Sequence, residues 1–95
     1  MDLEVAILPC KDGNSDGMLK VMNEEGIAAL KRCPGVNSVK VLKGVENPGT
    51  VLFLIEWDSV DAHNAAKSSE GFQTFVKVAG PFFGEGGAMQ HFRLD

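Results

Sequence analysis

The residues that could do chemistry in this chain are few, and they cluster. Trp57 is the only tryptophan, and His63, one of two histidines, follows six positions later. Histidine titrates near neutrality, so His63 can act as a general acid or base, or as a hydrogen-bond donor to a phenol at a pocket rim. An indole can stack on a flat ligand as a pocket wall. Each also has an ordinary reading: a half-exposed helix histidine, and a tryptophan packed in a core or a dimer interface. Phe72, Phe75, Phe82 and Phe83 read as core aromatics or lid contacts, and the same rings can make a cavity selective for aromatic substrates. The second histidine, His91, shares a strand face with Arg93. That pair reads as an ion-pairing seam in a dimer in preference to a catalytic pair.

Other chemistries lack their residues at local spacing. Neither histidine has a ligand-type partner a few positions away, so no metal site is expected. Cys10 and Cys33 have no C-x-x-C spacing and read as free thiols in a reducing cytoplasm. Gly84-x-Gly86-Gly87 precedes a strand and not a helix, so it fails as a nucleotide loop. No Ser/His/Asp arrangement can be argued from order in the chain. Thirteen acidic residues face nine scattered basic ones, a net charge of −4, which excludes a phosphate-binding stripe and with it a nucleic-acid partner. At 95 residues, 44% hydrophobic and 23% charged, the chain reads as one soluble globular domain spanning residues 1–95. Met1-Asp2-Leu3-Glu4 is acidic where a secretory segment would be basic, and no apolar run reaches transmembrane length. A cytoplasmic protein without a membrane partner is expected.

The elements that must position these residues follow from hydrophobic period and turn chemistry. Leu3 to Leu8 reads as a strand stopped by Pro9. Lys11 to Gly17 is a loop rich in turn formers, with Ser15 and Asp16 as competing helix caps. From Met18 to Cys33, Leu19, Met22, Gly26, Ala29/Leu30 and Cys33 recur at steps of three and four, one buried helical face. Gly26 there is expected to let the helix lie close on a sheet. Pro34-Gly35 ends the helix, and Val36 to Val45 alternates as a second strand. Glu46-Asn47-Pro48-Gly49 is a turn, so Thr50 to Trp57 pairs back as a hairpin. Ser59 caps a short helix to about Lys67, and Ser68-Ser69 breaks it and caps another from Glu70 to Ala79. Phe82 to Gly87 reads as a mobile loop, and Ala88 to Leu94 as the last strand.

The resulting order, β-α-β-β-α-β, is the α+β, ferredoxin-like pattern: a four-stranded antiparallel sheet with helices on one face. The third strand is apolar on both sides, with Phe53, Ile55 and Trp57 set against Leu52 and Leu54. Helices cover only one side. A homodimer that closes sheet against sheet accounts for the other.

Taken together, Pro34-Gly35-Val36, the strand end Glu56-Trp57, Asp58-Ser59-x-Asp61-Ala62-His63 and Ser69-x-x-Phe72-x-x-Phe75 resemble the antibiotic biosynthesis monooxygenase family, within the dimeric α/β-barrel superfamily. The resemblance runs from about Leu3 to Phe92. It implies a protomer cavity between sheet and helices, lined here by Phe53, Ile55, Phe72, Phe75 and Phe82, with His63 and Trp57 as the catalytic pair. Members that oxidise anthrone-type polyketides use molecular oxygen without metal or flavin. Their pocket carries a tryptophan at the strand end, matched by Trp57, with an asparagine before it and a tyrosine after it. Phe53 and His63 hold those two positions here. A histidine can replace a tyrosine as proton donor, whereas phenylalanine cannot replace asparagine. Haem-degrading relatives carry an asparagine on the first strand, and Leu3 to Leu8 has none. Cyclases of the superfamily rely on a Tyr/His pair in the second helical segment, where this chain has Ala66 and Phe72. The resemblance therefore implies a cofactor-independent monooxygenase, or a related cyclase or isomerase. It would act on a small aromatic or polyketide-like molecule, with His63 helping to deprotonate it. The alternative is a non-catalytic dimeric barrel, stress-related or ligand-binding.

Overall fold

A computed structural model of the chain describes residues 1–94. Strand β1 (Asp2–Pro9) leads to helix α1 (Ser15–Val21), which passes through a π turn (Met22–Gly26) into α2 (Ile27–Lys31). Strands β2 (Val36–Lys43) and β3 (Thr50–Trp57) follow, then helices α3 (Val60–Ala66) and α4 (Glu70–Ala79), and strand β4 (Ala88–Arg93). The four strands form one antiparallel sheet in the order β2-β3-β1-β4, the ferredoxin-like arrangement the pattern predicts.

The alternation of β3 sets the two faces. Val51, Phe53, Ile55 and Trp57 are buried on the helix side, while Leu52 and Leu54 point to the opposite face. Pairing then fixes what the neighbouring strands contribute. On the helix side Ala6 lies opposite Phe53 and Met89, Glu4 opposite Ile55 and His91, and Asp2 opposite Trp57 and Arg93. On the open side Leu3, Val5, Ile7, Leu52, Leu54 and Phe92 form an apolar surface, with Ile7 54% and Phe92 47% exposed. No helix among the described residues covers it.

Three local devices differ from the sequence expectation. The first helix is capped by Asn14, whose side chain accepts from the Gly17 N–H at 2.9 Å, and not by Ser15 or Asp16. The Ser15 hydroxyl is buried and donates to the Pro48 carbonyl, so it ties the helix start to the β2–β3 turn. Gly26 lies in the π turn, where an added Cβ would come within 2.4 Å of Met22 Sδ. It makes room for the widened turn itself and not for the sheet. The close-approach glycine is Gly71, where a Cβ would sit 2.4 Å from the Ala29 carbonyl oxygen, so α4 packs backbone-close on α2.

Helices α3 and α4 begin where expected. Ser59 accepts from the Ala62 N–H at 3.0 Å, and Ser69 from the Phe72 N–H at 3.3 Å. A tie not visible in sequence order joins α3 to the sheet: the Val60 N–H donates to the Asp2 carboxylate at 3.0 Å. After the short 3-10 turn Gly80–Phe82, Phe83 bridges Cys10, and the Gly84 N–H donates to the Pro9 carbonyl at 2.9 Å. The start of the loop before β4 is thereby fastened to the end of β1.

Candidate active site

Between the sheet and the helices lies a cavity of about 170 Å³. Phe53, Ile55, Phe72 and Phe75 line it together with His63. Phe82 does not. Its ring lies against Gly17 on α1, and Phe83 turns into the cavity in its place. The cause is local: Phe82 closes the 3-10 turn, while Phe83 is extended at φ −74° and ψ 130°, so the two neighbours point to different sides. The rings of Phe53, Phe75 and Phe83 meet edge to face with centroids 5.9 to 6.2 Å apart and form an aromatic wall.

Trp57 stands one layer behind this wall. It is fully buried and stacks on the His63 ring, with centroids 4.5 Å apart and planes 13° apart. Its indole N–H donates to Glu4 Oε1 at 3.0 Å. His63 is buried, and not the half-exposed helix histidine of the ordinary sequence reading. Its Nε2 lies 3.4 Å from Glu4 Oε1, and its Nδ1 lies 2.8 Å from Nε2 of His91. The result is a polar chain, Trp57–Glu4–His63–His91, set into apolar packing. Glu4 and His63 face the cavity.

Two members of this chain escape a reading of the sequence. His91 points to the helix side and meets His63, and Arg93 beside it pairs with Asp2 at 3.1 Å, so both side chains of the expected dimer seam find partners within the protomer. Glu4 sits on a central strand, with β3 on one side and β4 on the other. An acid in the middle of a sheet was the available signal. Alternation alone sends Glu4 to solvent, because Leu3, Val5 and Ile7 look like the buried set.

Burial sets the electrostatics. Desolvation pushes the Glu4 carboxyl above its ordinary range, and the Trp57 hydrogen bond offsets part of that. Burial first, then the charges of His91 and Lys67, pull His63 down to about 4, so its ring is neutral near pH 7. With Glu4 ionised, the satisfied arrangement has His63 Nε2–H directed at the carboxylate and Nδ1 accepting from His91 Nε2–H. Protonating Glu4 reverses both bonds, so the tautomer of His63 is coupled to the charge on Glu4. Among the described residues no buried side-chain polar atom lacks a partner. Glu4, His63 and His91 also each offer a ligand-type atom, all within 4.8 Å of one another.

The shift of His63 has a measurable consequence for the chelator-treated protein. Between the unfolded value near 6.5 and the folded value near 4, the unfolded chain takes up a proton that folded His63 refuses. The stabilisation is therefore full above the unfolded value and is lost as pH falls towards the folded one, by up to about 3 kcal/mol. Glu4, shifted upwards, acts with the opposite sign as pH rises past its ordinary value. Urea unfolding near pH 4.5 and near pH 7 should show less stability at the lower pH. His63→Gln, which keeps Glu4, should shrink that difference.

A four-stranded antiparallel sheet in the order β2-β3-β1-β4 with helices on one face defines an α+β protein of the ferredoxin-like class. The chain belongs to the antibiotic biosynthesis monooxygenase family, whose sequence pattern it matches over residues 5–78. Solved structures agree on the fold. A protein of Bordetella bronchiseptica that carries the family's name superposes with a TM-score of 0.87 at 21% identity, covering 99% of this chain and 96% of that one. A conserved protein of Methanosarcina mazei gives 0.77 at 16% identity, covering 99% and 92%. A further antibiotic biosynthesis monooxygenase gives 0.77 at 18%, covering 100% and 99%. No curated protein matches the chain's sequence.

Proposed function

We propose that this protein is a cofactor-independent, monooxygenase-like enzyme that acts with O2 on a single-ring phenol or quinol held in the cavity beside Glu4 and His63. The observation that carries the reading is the pairing of an aromatic-walled cavity with two buried proton-accepting groups at one end of it. The size of the cavity narrows the substrate class. A dry cavity of about 150 Å³ accepts benzene, and this one measures about 170 Å³. Its volume matches one aromatic ring.

The substrate hydroxyl points at Glu4 and His63, and Glu4 is the better base. A carboxylate raised by desolvation sits closer to neutrality than an ordinary one, whereas His63 is held neutral and weakly basic. The hydroxyl proton passes to Glu4, and the His63–His91 bond offers it a route towards the exposed edge strand. The phenolate then passes an electron to O2, the radical pair combines at carbon, and the peroxide collapses. One oxygen atom stays on the ring and the other leaves as water with the two hydrogens the substrate gives up. The substrate is its own reductant. Phe53, Phe75 and Phe83 give the intermediate an apolar wall on the inner side of the cavity.

The active form is a homodimer. Support comes from the bare apolar sheet face, which a second copy would cover. Two buried, unbridged thiols at Cys10 and Cys33 suit a reducing cytoplasm. Among the described residues no helix is long and apolar enough to cross a membrane. A second reading has its own support: the polar chain is fully satisfied and the cavity is small, as in a dimer that binds an aromatic ring without turning it over.

Size discrimination tests the proposal. Phenols and quinols of one ring should quench Trp57 fluorescence saturably and consume oxygen, while anthrones should do neither. Turnover of anthrones but not of single-ring quinols would sink the substrate class, and saturable quenching without oxygen uptake would favour the binding protein.

A further inference from the structure

We propose that Glu4, His63 and His91 together form a binding site for a divalent first-row transition-metal ion such as Zn2+ or Co2+. Local spacing gives no hint of it, since the three residues come from β1, α3 and β4, and only the fold brings them together. Two imidazoles and one carboxylate are a donor set that zinc, cobalt and ferrous iron accept. The donor atoms lie within 4.8 Å of one another, and ligands around one such ion lie about 3 to 4 Å apart, so an ion held here would take the place of the His63 Nδ1–His91 Nε2 hydrogen bond, now 2.8 Å long.

Three further observations point to a cation there. The Glu4 carboxylate is buried, and among the described residues no lysine or arginine pairs with it, which leaves an anion without a fixed counter-charge. The Trp57 N–H holds one carboxylate oxygen at 3.0 Å while the indole face stacks on His63. Such outer contacts orient metal ligands. The adjoining cavity leaves space for water or another ligand to complete the coordination, and His91, half-buried on an otherwise exposed edge strand, gives an ion a way in.

Binding of an ion here depends on the placement of these side chains and on no particular reaction. Its relation to the proposed oxygenase is competitive. An ion at the site would occupy the lone pairs that accept the substrate proton, so bound metal and metal-free turnover exclude one another.

The untagged full chain, stripped with chelator, would be titrated with Co2+ while Trp57 fluorescence and visible absorption are followed without any substrate. A paramagnetic ion beside His63 should quench the single tryptophan to a plateau at one equivalent, and Zn2+ should reverse the quenching. His91→Ala and Glu4→Gln should each weaken binding at least about tenfold, the lower range for disturbing even an outer contact. His91 is half-buried at a sheet edge, so its loss is compatible with folding. Visible ligand-field bands distinct from those of hydrated Co2+ give a readout on the unaltered chain. No saturable quenching, a spectrum of hydrated cobalt alone, or equal affinity in His91→Ala would each overturn the site. A failure of the oxygenase reading would leave this titration unchanged.

Discussion

Glu4→Gln should lower kcat about 10²- to 10⁴-fold, the range for removing a positioned general base, while binding of the aromatic ring changes little. Glutamine keeps the volume and an amide oxygen to accept the Trp57 N–H now bonded at 3.0 Å. The wall of Phe53, Ile55 and Phe75 stays as it is. What disappears is the only group at the cavity whose basicity burial raises, and neutral His63 cannot take its place. The expected signature is a fall in kcat with KM held, read by oxygen uptake, alongside unchanged saturable quenching of Trp57. A parallel fall after His63→Ala with Glu4 intact is also expected, because the proton then has no onward partner. Full activity in Glu4→Gln would move the base to His63 and contradict the assignment.

Val5→Asp should convert a dimer to a folded monomer. Val5 lies on the open face of β1, opposite Leu54 on β3 and Gln90 on β4, amid Leu3, Ile7, Leu52 and Phe92. In a monomer the new carboxylate meets water, so the fold and its circular dichroism should be retained. In a two-fold dimer each copy would bury an unpaired charge, about 3 kcal/mol or more apiece. The sum raises the dissociation constant by about 10⁴-fold. Light scattering coupled to size exclusion should report twice the chain mass for the unaltered protein and the chain mass for the variant. A monomeric unaltered protein would remove the homodimer, and the open face would then need another cover.

Much of the fold was legible in the sequence because its signals are local. The apolar run Val51 to Ile55 could only be a central strand, Asn47-Pro48-Gly49 could only turn, and Ser59 and Ser69 cap the helices that they precede. The site was legible in part. Four of the five expected lining residues face the cavity, and His63 stands beside Trp57 as the motif implies. The misses are all questions of register or rotation. Glu4 turns inward because β1 is buried on its polar-looking side, His91 turns inward because it pairs with Glu4, and Phe83 replaces Phe82 because a single 3-10 turn ends between them. None of these is written in spacing along the chain. Each follows from which residue lies opposite which, and that is fixed only once the whole sheet forms.

The most direct test of the oxygenase account is a single turnover experiment with 18O2, chelator and a one-ring quinol that quenches Trp57. One O2 should be consumed per substrate, with one labelled oxygen in the quinone product, one in water and no peroxide released. Saturable binding with no oxygen consumed, or oxygen returned wholly as peroxide with none in the product, would contradict it and leave a ligand-binding barrel in its place.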